Sequence, residues 1–145
     1  MTGFTGAGFR EVADRVWVAR YEWFDVNITL IGGDRGLLVV DTHGAASAAR
    51  EVIDDVRRLG AGEVTGIVNT HWHFDHTFGN HTFREEYGAL PIHAHENARD
   101  ELEKWGEEVK QRYADSPTTP GARTSWRPGS CSRTRRSPRR GARPR

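Results

Sequence analysis

The chain has 145 residues, 21 Lys and Arg against 20 Asp and Glu, and a formal net charge of +1. A single cysteine, Cys131, excludes an internal disulfide scaffold and a Cys-rich zinc module. No apolar run approaches the roughly 20 residues of a membrane span, and Met1–Arg10 lacks the apolar segment of a signal peptide, so a cytoplasmic protein is expected.

The net charge hides two compositions. Residues 121–145 hold nine Arg, no Lys and no acid, whereas residues 1–120 hold 12 basic and 20 acidic side chains. An acidic body does not suggest a protein built around nucleic acid, although the tail could attract it nonspecifically. Length allows one domain.

In chain order, Arg15–Arg20 alternates and reads as a short strand. Val26–Ile31 reads as a second, closed by the turn signal Gly32-Gly33-Asp34. Gly36–Asp41 is a continuous apolar run typical of a strand buried on both faces. These three are expected to form a meander. Ala45–Leu59 reads as a helix, with Ala49, Val52, Ile53, Val56 and Leu59 at helical spacing and Gly60 as its stop. Glu63–Thr70 reads as a strand with a polar end, His71–Asn80 as a loop, His81–Tyr87 as a short helix and Leu90–Ala94 as a strand. A long helix follows over Asn97–Tyr113, with Ala98, Leu102, Trp105, Val109 and Tyr113 on one face, expected to pack on the core.

The chemistry concentrates in Thr70-His71-Trp72-His73-Phe74-Asp75-His76, directly after a predicted strand. Imidazole and carboxylate are the ligand set of zinc and similar borderline cations. In an extended or tightly turned segment His71 and His73 fall on the same side, and Asp75 and His76 lie around the turn within reach of an adjacent site. Trp72 and Phe74 alternate with them and are expected to anchor the loop in the core and stiffen the ligands. A group of ordinary surface or core histidines is the competing reading. One histidine alone would favour it; four ligand-type side chains in this register favour metal.

This motif resembles the His-x-His-x-Asp-His signature of the metallo-β-lactamase fold superfamily. Leu38–Thr42 resembles the family's strand ending in Asp, Gly79-Asn80 the pair that follows its motif, and Pro91–Glu96 its next strand and helix start. The resemblance covers residues 10–115. It implies an α/β (α+β) fold, half of an α/β/β/α sandwich with a mixed sheet flanked by helices. It implies His71 and His73 on a first zinc, Asp75 and His76 on a second, and Asp41 bracing the ligand loop from behind. Asp75 is also implied as the catalytic residue that orients water or accepts its proton. The implied activity is metal-assisted hydrolysis of an ester, thioester, lactam or phosphoester in a small-molecule substrate. His43 reads first as a loop histidine without a metal role and second as a group facing the cleft; His81, His93 and His95 are given no role.

The resemblance also implies a second half that supplies another His for the first metal, a bridging Asp and a final His. The last histidine here is His95 and the last acid is Asp115. A partial domain over 10–116 is therefore expected, with an uncovered apolar sheet face that favours homo-oligomers. Residues 117–145 read as a disordered Arg/Pro/Ser/Gly-rich tail. Its composition resembles GC-rich DNA translated out of frame, which makes a truncated, inactive product one expectation. A selected basic tail for nucleic acid, or a non-catalytic metal-binding fragment that oligomerises, is the alternative.

Overall fold

The computed structural model describes residues 8–114. The expected tail over 117–145, with Cys131, lies outside them. The elements run β1 (Arg10–Ala13), β2 (Val16–Tyr21), a 3-10 turn (Trp23–Asp25), β3 (Val26–Gly33), β4 (Gly36–Val40), α1 (Ala46–Leu59), β5 (Val64–Val68), α2 (Phe74–Thr77), α3 (Asn80–Tyr87), β6 (Ile92–His93) and α4 (Glu96–Ala114).

The six strands form one sheet in sequence order. β1 to β4 pair antiparallel, and the expected meander is β2-β3-β4. From β4 onward the pairing is parallel, β4 to β5 and β5 to β6. The change follows from the connections. Short turns allow a reversal, whereas α1 carries the chain back to the start of the sheet before β5 begins. The result is the mixed α+β sheet that the sequence implies.

Period-2 alternation in β3 decides which face is covered. Val26, Ile28 and Leu30 are buried, while Asn27 and Ile31 are exposed. The covered face packs Ile28, Leu30, Leu37, Val39 and Ile67 against Val52, Ile53 and Val56 of α1 and Phe83 of α3. The stripe of α1 predicts this contact, and Gly60 ends the helix at φ +66 with its N–H on the Val56 carbonyl.

On the opposite face, Val16, Ile31 and Leu38 sit side by side across three strands. Ile31 is 41% exposed and Leu38 37%. The sheet is therefore dressed on one face by α1 and α3, and its other face presents aliphatic side chains.

Five elements depart from expectation. β4 is covered on one face only, with Leu38 on the other, rather than buried on both. β1 is an edge strand whose four residues are all exposed, so no burial pattern announced it. The region expected as a loop over His71–Asn80 contains α2, and α3 starts at Asn80. β6 is two residues long rather than five. The stripe of α4 is not core-facing: Trp105 is 37% exposed, and Gly106 is the buried residue at that turn. The reason is that α4 packs against α2 and the motif loop instead of against the sheet.

Candidate metal centre

The histidine motif follows β5, and Asp41 follows β4. Both therefore stand at the carboxyl ends of adjacent parallel strands, where open α/β sheets place their ligands. Asp41 takes a left-handed backbone at φ +65, and His43 does the same at φ +77. Aspartate tolerates this region better than most residues. The two reversed residues turn the chain sharply between β4 and α1.

Asp41 is 3% exposed and spends both carboxylate oxygens on the ligand loop. Oδ1 accepts the Thr70 N–H at 2.9 Å. Oδ2 accepts the Thr70 hydroxyl at 2.8 Å and faces His76 Nδ1 at 2.8 Å. A carboxylate only accepts, so His76 carries a proton on Nδ1, which leaves Nε2, 3.3 Å from Asp75 Oδ2, as the nitrogen that can ligate when unprotonated. Thr70 Oγ1, having donated to Asp41, accepts from His71 Nδ1 at 2.9 Å. His71 is thereby also a Nδ1–H tautomer with Nε2 free. One buried carboxylate, directly and through Thr70, puts a proton on Nδ1 of two of the three motif histidines.

The His71 ring lies 4.6 Å from that of His73 and 4.1 Å from that of His76, centroid to centroid. Asp75 Oδ2 is 3.3 Å from His76 Nε2. Burial, and then the neighbouring His76 and His73, holds the His71 imidazolium below the ordinary histidine range. A neutral imidazole with a free Nε2 is the form that binds metal. The structure thus brings His71, His73, Asp75 and His76 into one cluster. As they stand, no three His, Cys, Asp or Glu side chains among the described residues converge to hold an ion. The donor types and the two fixed tautomers nonetheless suit Zn2+.

The loop is held by contacts that the motif alone does not reveal. The His76 carbonyl accepts from Thr42 N at 3.0 Å, Thr42 Oγ1 at 3.3 Å and Asn69 Nδ2 at 3.2 Å. Asn69 and Asn80, both buried, pair through Asn80 Nδ2 to Asn69 Oδ1 at 2.7 Å and Asn69 Nδ2 to Asn80 Oδ1 at 3.2 Å. Thr42 Oγ1 donates to Asn80 Oδ1 at 2.6 Å. The sequence signal available for these was the polar end Asn69-Thr70 on an apolar strand. Phe74 and Trp72 do anchor the loop, but not in the sheet core. Phe74 stacks on Tyr113 of α4 at 4.1 Å and meets Phe24 edge-on, while Trp72 lies with Ala98 and Leu102 of α4.

His43 is buried, 1% exposed, and stacks on Trp23. Its Nδ1 accepts the Gly44 N–H at 2.8 Å. Burial lowers its pKa to about 4, against a smaller opposing pull from Asp75. Unfolding exposes an ordinary imidazole with pKa about 6.5. Between these values the unfolded chain binds a proton that the folded chain refuses, so stability falls as pH drops from about 6.5 to about 4. The full effect is on the order of 3 kcal/mol. A His43→Leu variant should show a flatter stability curve over that window in urea titrations. Equal pH slopes for both proteins would refute the assignment.

Comparison with known proteins decides the lineage. The family model described as metallo-beta-lactamase superfamily matches residues 21–132. The chain belongs to the metallo-β-lactamase superfamily. Among curated proteins, the superfamily chain is 28% identical over 81 residues to an atrochrysone carboxyl ACP thioesterase of Passalora fulva, covering 56% of this chain and 24% of that one. Among solved structures it is similar to BJP-1, a subclass B3 metallo-beta-lactamase of Bradyrhizobium japonicum. That match has TM-score 0.58 and 25% identity, over 68% of this chain and 37% of the other. FIM-1 from Pseudomonas aeruginosa, in its mono-zinc form, shares the fold at TM-score 0.56 and 17% identity, over 70% of this chain and 47% of the other. The chain spans about a quarter of that curated relative and less than half of those solved structures. Among the described residues, no helix is long and apolar enough to cross a membrane.

Proposed function

We propose that this chain carries the first metal-ligand cluster of a zinc-dependent hydrolase acting on an ester, thioester, lactam or phosphoester. The observation that carries the reading is the Asp41 network, which leaves Nε2 of both His71 and His76 free as ligands beside Asp75. Likeness to a thioesterase and to β-lactamases supports hydrolysis as the reaction class.

His71 and His73 would hold one ion, and Asp75 and His76 a second. The chemistry such an ion supplies when bound is Lewis acidity, which polarises a carbonyl or phosphoryl oxygen and acidifies water. Asp75, whose Oδ2 is 3.3 Å from His76 Nε2, would accept a proton from water attacking the substrate. Asp41 keeps His71 and His76 in the ligating tautomer throughout. Phe74, clamped between Phe24 and Tyr113, fixes the segment that joins the two ligand pairs. A catalytic zinc ordinarily has three protein ligands, and this sequence has no histidine after His95. A third protein ligand for the first ion would therefore have to come from outside the motif.

Metal analysis of purified protein tests the assignment. His71→Ala and His73→Ala should each lower the zinc content, and Asp75→Ala should chiefly weaken the second ion. Unchanged stoichiometry in all three variants would sink the ligand assignment. A panel of nitrophenyl ester, acyl thioester, cephalosporin and phosphodiester substrates then tests turnover. Zinc-loaded, folded protein without activity on any of them would count against catalysis while leaving metal binding standing.

A further inference from the structure

A half-open cavity of about 440 Å³ is lined by His43 and by none of the motif residues. Tyr21, Trp23 and His43 line it together with Ala48 and Glu51 of the first turns of α1. It shares no lining residue with the ligand cluster.

Its charges are lopsided. Arg20 at the rim is paired with Asp25, so its positive charge is matched locally. Glu22 and Glu51 also line the cavity, and neither has an ion-pair partner among the described residues. Glu51 therefore stands without a counter-charge beside the aromatic ring, while Glu22 shares the field of Arg20 with Asp25. Their field is felt by neighbours: Glu51 adds to the raising of the Tyr21 hydroxyl, which is due first to burial and then to its bond with Asp55.

The lining supplies a second, independent feature. His43 is 99% buried by its 1% exposure, and its Nδ1 is satisfied by the Gly44 amide. Its Nε2 has no hydrogen-bond partner among the described residues. No fully buried side-chain nitrogen or oxygen among the described residues lacks a partner, so Nε2 is a part of the ring that the cavity reaches. With Nδ1 acting as acceptor, Nε2 bears the proton and is a donor. The cavity thus combines an indole ring, two carboxylates against one arginine, and one N–H without a protein partner.

We propose that this cavity binds an organic ammonium group bearing a nearby oxygen, the ammonium against Trp23 between Glu22 and Glu51 and the oxygen on His43 Nε2. Aromatic faces attract such cations because of the ring quadrupole, and more strongly where water is displaced. Carboxylates beside the ring add a directional Coulomb attraction. A neutral ligand of the same shape would gain neither.

Calorimetric titration of the full chain with choline, and with its neutral carbon isostere 3,3-dimethyl-1-butanol, tests the proposal. Choline should bind saturably at one site and about tenfold tighter than the isostere. Glu51→Gln and Glu22→Gln, both substitutions of exposed residues, should each weaken choline several-fold and leave the isostere unchanged. Absence of saturable choline binding, equal binding of the two ligands, or indifference to both substitutions would overturn the proposal. Choline has no scissile bond and the titration needs no zinc. Its outcome is therefore independent of whether the chain hydrolyses anything.

Discussion

Gly79→Ala is expected to prevent folding. Gly79 has an ordinary backbone at φ −75, so conformational freedom is not the issue. Space is. A Cβ on Gly79 would stand 1.9 Å from the Thr42 carbonyl oxygen and 2.8 Å from Ala49 Cβ. The first of these is backbone and cannot rotate away. Relief would require parting the β4–α1 turn from α2, which breaks the bond from Gly79 N–H to the His43 carbonyl at 2.9 Å. Overpacking of this kind costs about 4 kcal/mol or more, against a total stability of about 5–15 kcal/mol for a small domain. Gly33→Ala is the control, because its new methyl would meet only the Gly36 carbonyl oxygen at 3.6 Å, an ordinary contact. Thermal melts by circular dichroism should show a normal transition for Gly33→Ala and none for Gly79→Ala. A cooperative melt within a few degrees of the parent for Gly79→Ala would show the turn to be far softer than its packing implies.

Asp41→Asn should strike the metal centre through protons rather than through shape. Asparagine is nearly isosteric and keeps a residue tolerant of left-handed backbone. It offers one acceptor oxygen where the native carboxylate offers two, and three donors converge on them: Thr70 N, Thr70 Oγ1 and His76 Nδ1. If the amide oxygen serves Thr70 N, the amide NH2 faces the hydroxyl and the imidazole. His76 must then move its proton to Nε2, the atom needed by metal. The expected result is a 10- to 100-fold loss of zinc affinity, typical of removing a group that orients a ligand, with a stability loss of about 1–3 kcal/mol from the mismatched donors. Long-range nitrogen–proton NMR of the histidine rings should show His76 changing from the Nδ1–H to the Nε2–H tautomer. An unchanged tautomer with unchanged zinc affinity would remove Asp41 from the site.

The parts of this molecule legible in the sequence are those whose neighbours are close along the chain. The stripe Ala49, Val52, Ile53, Val56 and the stop at Gly60 state α1 almost completely. The histidine motif states its own candidate ligands because four donor side chains fall within six residues. Period-2 burial in Val26–Leu30 states β3. What escaped has nonlocal causes. β1 buries nothing, and so has no pattern to read. α2 is a four-residue turn that exists because Thr42 and Asn69 grip the His76 carbonyl from two other strands' ends. The outward Trp105 reflects where α4 docks, which depends on α2. Most telling is Gly79: the letter is visible, but the need for it comes from Thr42, 37 positions earlier.

The division of the site between two parallel strands also bears on the order in which the chain assembles. β1 to β4 pair through short turns, and such hairpins form on the microsecond scale. β5 joins only after the segment containing α1 has been closed into a loop, at an entropic cost that local pairing does not meet. Asp41 therefore arrives with the early meander, and Thr70, His71 and His76 reach it late. Contacts completed after the folding barrier act on how fast the native state comes apart, not on how fast it forms. Bound zinc should accordingly lengthen the lifetime of the native state while leaving the rate of folding nearly unchanged.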